Sequence, residues 1–238
     1  MKLNFKGKNV LITGITSGIG KSIAEHFLKN GANVIGTSTK KKLKKKNFQI
    51  YKVDFFNKLE KENFIKYISK IKLHILINNA GINKIDKIQN IKLNDFRKII
   101  NLNLEIPTLL TNIVSQNMIK NKYGKIINIA SIFGNVSKPM RASYSSSKYG
   151  LKGLTRSTAL DLAPFNILVN SISPGFIGTR LTKKILKKQG IVRQSKIIPL
   201  KRLGKVEEIS KLALFLSSDY NTYITGQDII IDGGFTSL

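Results

Sequence analysis

The stretch Asn9-Val10-Leu11-Ile12-Thr13-Gly14-Ile15-Thr16-Ser17-Gly18-Ile19-Gly20 decides the architecture. A short apolar, β-branched run reads as a strand. It gives way to three glycines and then to apolar residues at helical spacing, Ile19, Ile23 and Phe27, with Gly31 as the stop after Asn30. A strand that turns at once into a helix leaves the helix's first N–H groups and its positive dipole end facing the turn, where an anion is favoured. Gly14 permits the turn, Gly18 lets backbone approach a phosphate, and Gly20 allows close helix–sheet packing. The spacing G-x-x-x-G-x-G departs from the usual dinucleotide fingerprint, so position carries the argument. Gly14, Thr16, Ser17, Gly18, Ile19 and Gly20 form the expected phosphate-binding turn.

Working outward, further strands are expected at Asn33–Ser38, Gln49–Val53, His74–Ile77, Lys125–Ala130, Ile167–Ser173 and Asp228–Ile231. Most are continuous apolar runs, as in strands covered on both faces. Long helical segments are expected at Asp95–Lys120 and Ser143–Leu162. The alternation predicts one α/β domain over residues 1–238: a Rossmann-type, doubly wound parallel sheet of about seven strands with helices on both faces. Ligands of such a sheet lie beyond the carboxyl ends of the strands at the topological switch point.

The end of the second strand bears on the ligand. Proteins that bind NAD(H) place a carboxylate there for the ribose 2′-hydroxyl. Here the chain reads Gly36-Thr37-Ser38-Thr39-Lys40, with lysines continuing to Lys46 as a basic loop. A 2′-phosphate would meet hydroxyls, Thr37 among them, and lysines. NADP(H) is therefore the expected cofactor rather than NAD(H).

After the fifth expected strand come Ser131 and then Tyr144-Ser145-Ser146-Ser147-Lys148, opening a helical pattern. Tyr144 and Lys148 at i and i+4 share a helix face, where an ammonium lowers the pKa of a phenol otherwise near ~10. With Thr13-Gly14-x-x-x-Gly18-Ile19-Gly20, Asn78-Asn79-Ala80-Gly81 and Pro174-Gly175 in order, the chain resembles the short-chain dehydrogenase/reductase family from Gly7 to Gly234. The resemblance implies carbonyl reduction by hydride transfer. Tyr144 would be the acid, Lys148 its modulator and a ribose ligand, Ser131 the group that polarises the carbonyl, and Asn103 the anchor of a water in the proton relay, with Asn101 a rival. It also implies cofactor contacts from Asp54 and Phe55, from Asn79, Ala80 and Gly81, and from Pro174, Gly175, Ile177 and Thr179. The segment from Phe176 to Pro199 would be a mobile substrate lid.

At the level of the whole chain the resemblance is to bacterial 3-oxoacyl-[acyl-carrier-protein] reductases. It implies a small-molecule or acyl-carrier-linked substrate and a homotetramer. A dehydrogenase for a sugar or other secondary alcohol is the alternative, and a non-catalytic binding protein a remote one. Ile15, Ser17 and Ile106 depart from the reductases' pattern. Of two basic carrier-docking positions Lys122 keeps one, and Phe165 replaces the other.

Composition bounds these readings. The chain has 238 residues, 42% hydrophobic, with no cysteine, and a net charge of +28. The lysines are dispersed rather than clustered with aromatics on one element, so nucleic acid is not the expected partner. No apolar run reaches the ~18 residues of a membrane span. The first residues lack an apolar stretch of signal-peptide length, so the cytoplasm is the expected location. His26 and His74 lack metal-ligand spacing, and no metal is expected.

Overall fold

The computed structural model describes residues 3–40 and 42–237. The strands are β1 (Asn9–Ile12), β2 (Asn33–Ser38), β3 (Leu43–Lys45), β4 (Phe48–Lys52), β5 (Ile75–Asn78), β6 (Gly124–Ile129), β7 (Ile167–Pro174) and β8 (Asp228–Ile231). The helices are α1 (Gly18–Lys29), α2 (Lys58–Ile68), α3 (Leu93–Ile100), α4 (Ile106–Asn121), α5 (Ala142–Leu162), α6 (Arg180–Ile197) and α7 (Val206–Ser217). One sheet runs β3-β4-β2-β1-β5-β6-β7-β8. Every pairing is parallel except β3 with β4.

Alternation along the strands explains the two-sided core. Val10 and Ile12 join Ile23 and Phe27 of α1 and Ile209 and Ala213 of α7 on one face. Leu11 points the other way, to Phe64 of α2, Leu110 and Val114 of α4 and Ala159 of α5. The strand order reverses at β1: β2 and β4 extend one way, and the chain then crosses to β5 on the other side. A crevice therefore opens beyond the carboxyl ends of β1 and β5.

Three expectations change. There are eight strands, because Leu43–Lys45 forms an antiparallel edge strand with Phe48–Lys52, in register Leu43 to Ile50. Part of the expected basic loop is thus a strand: Leu43 packs on the core while Lys44 and Lys45 face outward. Lysines on an edge strand also discourage pairing with another chain. The helix expected over Asp95–Lys120 is interrupted by a π turn at Asn101–Glu105. Finally, Phe176–Pro199 is largely helical: α6 is capped by Thr179, whose hydroxyl accepts from the Thr182 N–H at 3.1 Å, and kinks at Lys187 (φ 53°).

Candidate active site

The phosphate-binding turn is built by hydrogen bonds between strand ends. Gly14 lies at φ +71°, a left-handed value that glycine adopts without strain. Its N–H donates to Thr37 Oγ1 at 3.1 Å, and the Ile15 N–H donates to the Thr37 carbonyl at 3.2 Å. Thr13, at the end of β1, accepts the N–H groups of Asn79 and Ala80 on its hydroxyl, both at 2.9 Å. Asn79 Nδ2 donates back to the carbonyls of Thr13 (2.8 Å) and Gly14 (3.0 Å). A Cβ at Gly20 would fall 2.3 Å from the Gly14 oxygen and 2.4 Å from Asn79 Nδ2, so the helix meets the turn as closely as backbone allows. Thr16 and Ser17 are exposed at its rim, and Ile19 is half-buried against the core. Ser17, the N-cap of α1, makes no side-chain cap bond, and no acidic residue lies in the helix's first turn. The α1 N-terminus therefore meets no competing carboxylate in its own first turn, as an anion site requires.

This geometry yields a prediction. Gly20→Ala is expected to displace the turn, destabilising the fold by about 1–3 kcal/mol, the usual cost of overpacking. It is also expected to weaken dinucleotide binding at least about ten-fold, since backbone placement sets the anion contacts. Thermal melting and fluorescence titration measure both; unchanged affinity would remove this turn from the cofactor site.

The second strand's end is read differently in three dimensions. Thr37 is buried, with its hydroxyl turned to Gly14, so it supports the turn rather than projecting beyond the strand. Ser38, whose Oγ accepts from the Lys40 N–H at 3.1 Å, leads out to exposed Thr39 and Lys40. Among the described residues that leave this strand, from Thr39 to Lys46, there is no carboxylate. Ile15 is buried against Gly36, where any side chain would collide with it. It is a core anchor and not part of a phosphate subsite.

After β4, Asp54 Oδ1 accepts from the Phe56 N–H at 3.0 Å, holding a tight turn. The Phe55 ring is buried 5.8 Å from Phe64, so only the backbone of Phe55 is left to meet a ligand. A cofactor contact at this position would therefore run through the Phe55 backbone. Pro174 closes β7 and is buried; beyond it Ile177 is buried and pairs with Gly204. Gly175 fits against Asp232 so closely that a Cβ would lie 2.7 Å from its Cα. The Thr179 methyl would stand 3.4 Å from a Cβ at Gly18, which brings this segment to the phosphate turn.

The chemical centre lies beyond β6. Ser131 begins a 3-10 turn, its hydroxyl accepting from the Phe133 N–H at 3.2 Å, and it faces Tyr144, three residues into α5, closely enough to act on the phenol's pKa. Burial pushes the Tyr144 phenol above its usual value, opposed by Ser131 and by the positive charge of Arg141. Lys148, one turn on, is 4% exposed and donates to the Ile129 carbonyl at 2.8 Å. Its ammonium is 5.7 Å from the Tyr144 ring centroid, and burial lowers its pKa from 10.5 to about 8. Asn103 sits in the π turn, a distortion frequent at functional sites. It is fully buried. Its amide accepts from the Ile82 N–H and donates to the Ile82 carbonyl, each at 2.9 Å, and donates to Ser147 Oγ at 3.0 Å. Gly81 leaves room for this, since a Cβ there would be 3.1 Å from Asn103 Oδ1. The rival Asn101 is instead bound to Glu105 at 2.8 Å on the surface.

Ser131, Tyr144, Lys148 and Asn103 thus converge beside Asn79, Ala80 and Gly81, with the phosphate turn at the far end of the same crevice. Sequence reasoning missed Thr13 as the tie between β1 and β5, Ser147 as a partner of Asn103, and Arg141 beside Tyr144. Only the motif order hinted at Thr13; the other two are visible only in tertiary contacts.

A parallel doubly wound sheet with a Ser–Tyr–Lys cluster at its carboxyl edge defines an oxidoreductase that uses a nicotinamide dinucleotide. Comparison with known proteins gives the family. A family profile described as Enoyl-(Acyl carrier protein) reductase matches residues 14–236. The 3-oxoacyl-[acyl-carrier-protein] reductase of Buchnera aphidicola subsp. Baizongia pistaciae is 42% identical, over 95% of this chain and 96% of that protein. The enzyme of that name from Thermotoga maritima is 37% identical over 98% and 99%. Among solved structures, ElxO with NADP bound superposes with TM-score 0.88 at 33% identity over 97% and 99% of the chains. A 4-hydroxyisoleucine dehydrogenase complexed with NADH gives 0.90 at 32% identity over 98% and 100%. The chain belongs to the short-chain dehydrogenase/reductase family.

Proposed function

We propose that this protein is an NADPH-dependent 3-oxoacyl-[acyl-carrier-protein] reductase acting in the cytoplasm. The observation that carries the reading is the placement of Ser131 beside Tyr144, with Lys148 buried one helical turn away and within 5.7 Å of the Tyr144 ring. Two hydroxyls meeting at one point suit a single acceptor oxygen, that of a carbonyl being reduced. When bound, NADPH supplies the hydride that adds to the carbonyl carbon. Ser131 stabilises the charge developing on oxygen, and Tyr144 delivers the proton that completes the alcohol. Lys148 restores charge balance at the phenolate and would hold the cofactor's ribose; Asn103 fixes the relay behind Ser147.

The cofactor assignment is supported by the absence of a carboxylate beyond β2 and by exposed Thr39 and Lys40. Bound NADP in one structural relative and NADH in another leave that strand end as the deciding feature. The substrate is supported by the relatives' names and by charge: acyl carrier proteins are acidic, and a chain of net charge +28 attracts them. Lys122, exposed in a left-handed conformation at the end of α4, is the expected docking cation. Phe165 packs against the core and offers no charge there. The segment 176–199 would close over the acyl chain; Phe176 already meets Phe133 at 6.1 Å.

The deciding experiment is a panel with purified protein: a 3-oxoacyl thioester on carrier protein and on coenzyme A, a 2-enoyl thioester, a keto-sugar and a cyclic ketone, each with NADPH and NADH. Turnover of the carrier-linked 3-oxo substrate with NADPH preferred is expected. Reduction of the keto-sugar or cyclic ketone alone, or NADH preference, would replace this reading with the alcohol-dehydrogenase one. We propose a homotetramer as well, because Leu93 on α3 and Tyr149 and Leu160 on α5 are exposed apolar groups. Light scattering at micromolar concentration tests this, and a monomer would refute it.

A further inference from the structure

We propose that Arg141 is a specificity-determining residue that binds a second acceptor oxygen on the substrate, one methylene removed from the reacting carbonyl, so that the site selects 1,3-dicarbonyl compounds over isolated ketones. The inference rests on the functional reading above and deepens it.

Arg141 is the residue before α5, three positions before Tyr144, and so on the same side of the first turn. Its guanidinium carbon lies 5.6 Å from the centroid of Phe133. Phe133 in turn meets Tyr144 at 6.4 Å and Phe176 at 6.1 Å. The cation therefore stands beside the reacting groups, near enough for its charge to act on Tyr144.

The half-buried side chain also leaves two of its nitrogens without acceptors. Nε and Nη1 are buried without a hydrogen-bond partner, and no ion pair among the described residues includes Arg141. The neighbouring charge is another cation: Lys138 lies 5.5 Å from the ring centroids of both Phe133 and Phe176. Contact with an aromatic face offsets part of the cost of desolvating a guanidinium, but does not supply acceptors for its N–H groups. Two further features add to the cost. Arg141 stands at the N-terminus of a 21-residue helix whose first turn has no acidic residue, so its charge opposes the helix dipole. Met140, directly before it, has φ 67°, a conformation strained for a side chain of that size. An unpaired buried donor, an adverse dipole and a strained neighbour at one point make sense if an oxygen from outside the chain completes the site.

The geometry limits what that oxygen is. Ser131 and Tyr144 share the reacting oxygen, and Arg141 flanks Tyr144, so its acceptor belongs to the same end of the substrate. In a 3-oxoacyl thioester the thioester carbonyl stands one methylene from the ketone. In a free 3-oxo acid a carboxylate occupies the same place. A monoketone has nothing there, and a 4-oxoacyl thioester has its oxygen one methylene too far. The carrier's phosphate is far along the prosthetic arm and is not the group meant.

The test measures kcat/KM for a 3-oxoacyl thioester, the 3-oxo acid anion, the 4-oxoacyl thioester and a monoketone, in wild type, Arg141→Met and Arg141→Lys. Arg141→Met keeps bulk and removes every donor. The ratio of 3-oxo thioester to monoketone is expected to collapse by roughly ten- to a hundred-fold, the range for losing a hydrogen bond from a charged group, with Arg141→Lys intermediate. If the loss is larger for the 3-oxo acid, the carboxylate is the better ligand and the second-oxygen site stands. An equal loss on all four substrates would overturn the proposal and leave Arg141 acting only through Tyr144. Retained NADPH affinity and an undiminished melting temperature exclude misfolding. If wild type reduces the monoketone but none of the 3-oxo compounds, the functional reading itself has failed, and the inference with it.

Discussion

Tyr144→Phe is expected to lower turnover by on the order of 10²-fold or more while leaving NADPH binding essentially intact, because it removes only the proton donor. The ring's packing survives: the Phe133 and Tyr144 rings meet edge-on with centroids 6.4 Å apart, an arrangement that phenylalanine preserves. Ser131 keeps its acceptor role toward the Phe133 N–H at 3.2 Å, so the turn after β6 does not collapse. Burial holds the Tyr144 phenol above its ordinary value of 10.0, against the opposing pull of Ser131 and Arg141. It is thus protonated at neutral pH, as an acid in carbonyl reduction must be. The sign for pH follows. Loss of this proton can only reduce carbonyl reduction as pH rises, whereas alcohol oxidation, which needs the phenolate, gains. Steady-state kinetics in both directions and cofactor titration check these statements. Turnover of the variant within a few-fold of wild type would take Tyr144 out of the mechanism.

Much of this site was legible in the sequence for a physical reason. Strands buried on both faces read as unbroken apolar runs, and in a parallel doubly wound sheet the ligand lies after them. Gly14, Asn79, Ser131 and Pro174 each follow or close such a run, so their convergence follows from topology. What escaped the sequence depends on packing between distant residues. Leu43–Lys45 hides among lysines, because an edge strand needs only one buried apolar residue and is best charged elsewhere. The π turn around Asn103 adds a residue to a helix without altering its composition, so periodicity still reads one helix. That the Phe55 ring packs on Phe64 and the Thr37 hydroxyl accepts from the Gly14 N–H is likewise decided by residues distant in sequence. Arg141 carries no motif; its lack of an acceptor is a property of what the fold leaves out around it.

Lys148→Met is expected to abolish turnover and, at neutral pH, to raise the melting temperature of the cofactor-free protein. The lysine is 4% exposed, makes one hydrogen bond, to the Ile129 carbonyl, and is in none of the ion pairs among the described residues. Burial has lowered its pKa from 10.5 to about 8, which at neutral pH corresponds to about 3 kcal/mol of folding free energy lost to keeping the charge inside. Methionine has nearly the same length and no charge to desolvate. It forfeits the bond to Ile129, a bond from a charged group that is worth about 1.5–3 kcal/mol, which leaves a net gain of up to about 1.5 kcal/mol. For a chain of this size that is a rise of up to about 6 °C. Between about 8 and 10.5 the unfolded chain holds this proton more tightly than the folded one, so wild-type stability recovers as pH rises through that window. The variant's advantage must therefore be full at pH values below about 8 and fade toward 10.5. Calorimetry of both proteins at the two ends of the window measures it. A variant less stable than wild type at neutral pH, or an advantage that does not change with pH, would mean that the ammonium is not held at a cost. In that event Lys148 would be an ordinary structural residue rather than a charge stored beside Tyr144 for the reaction.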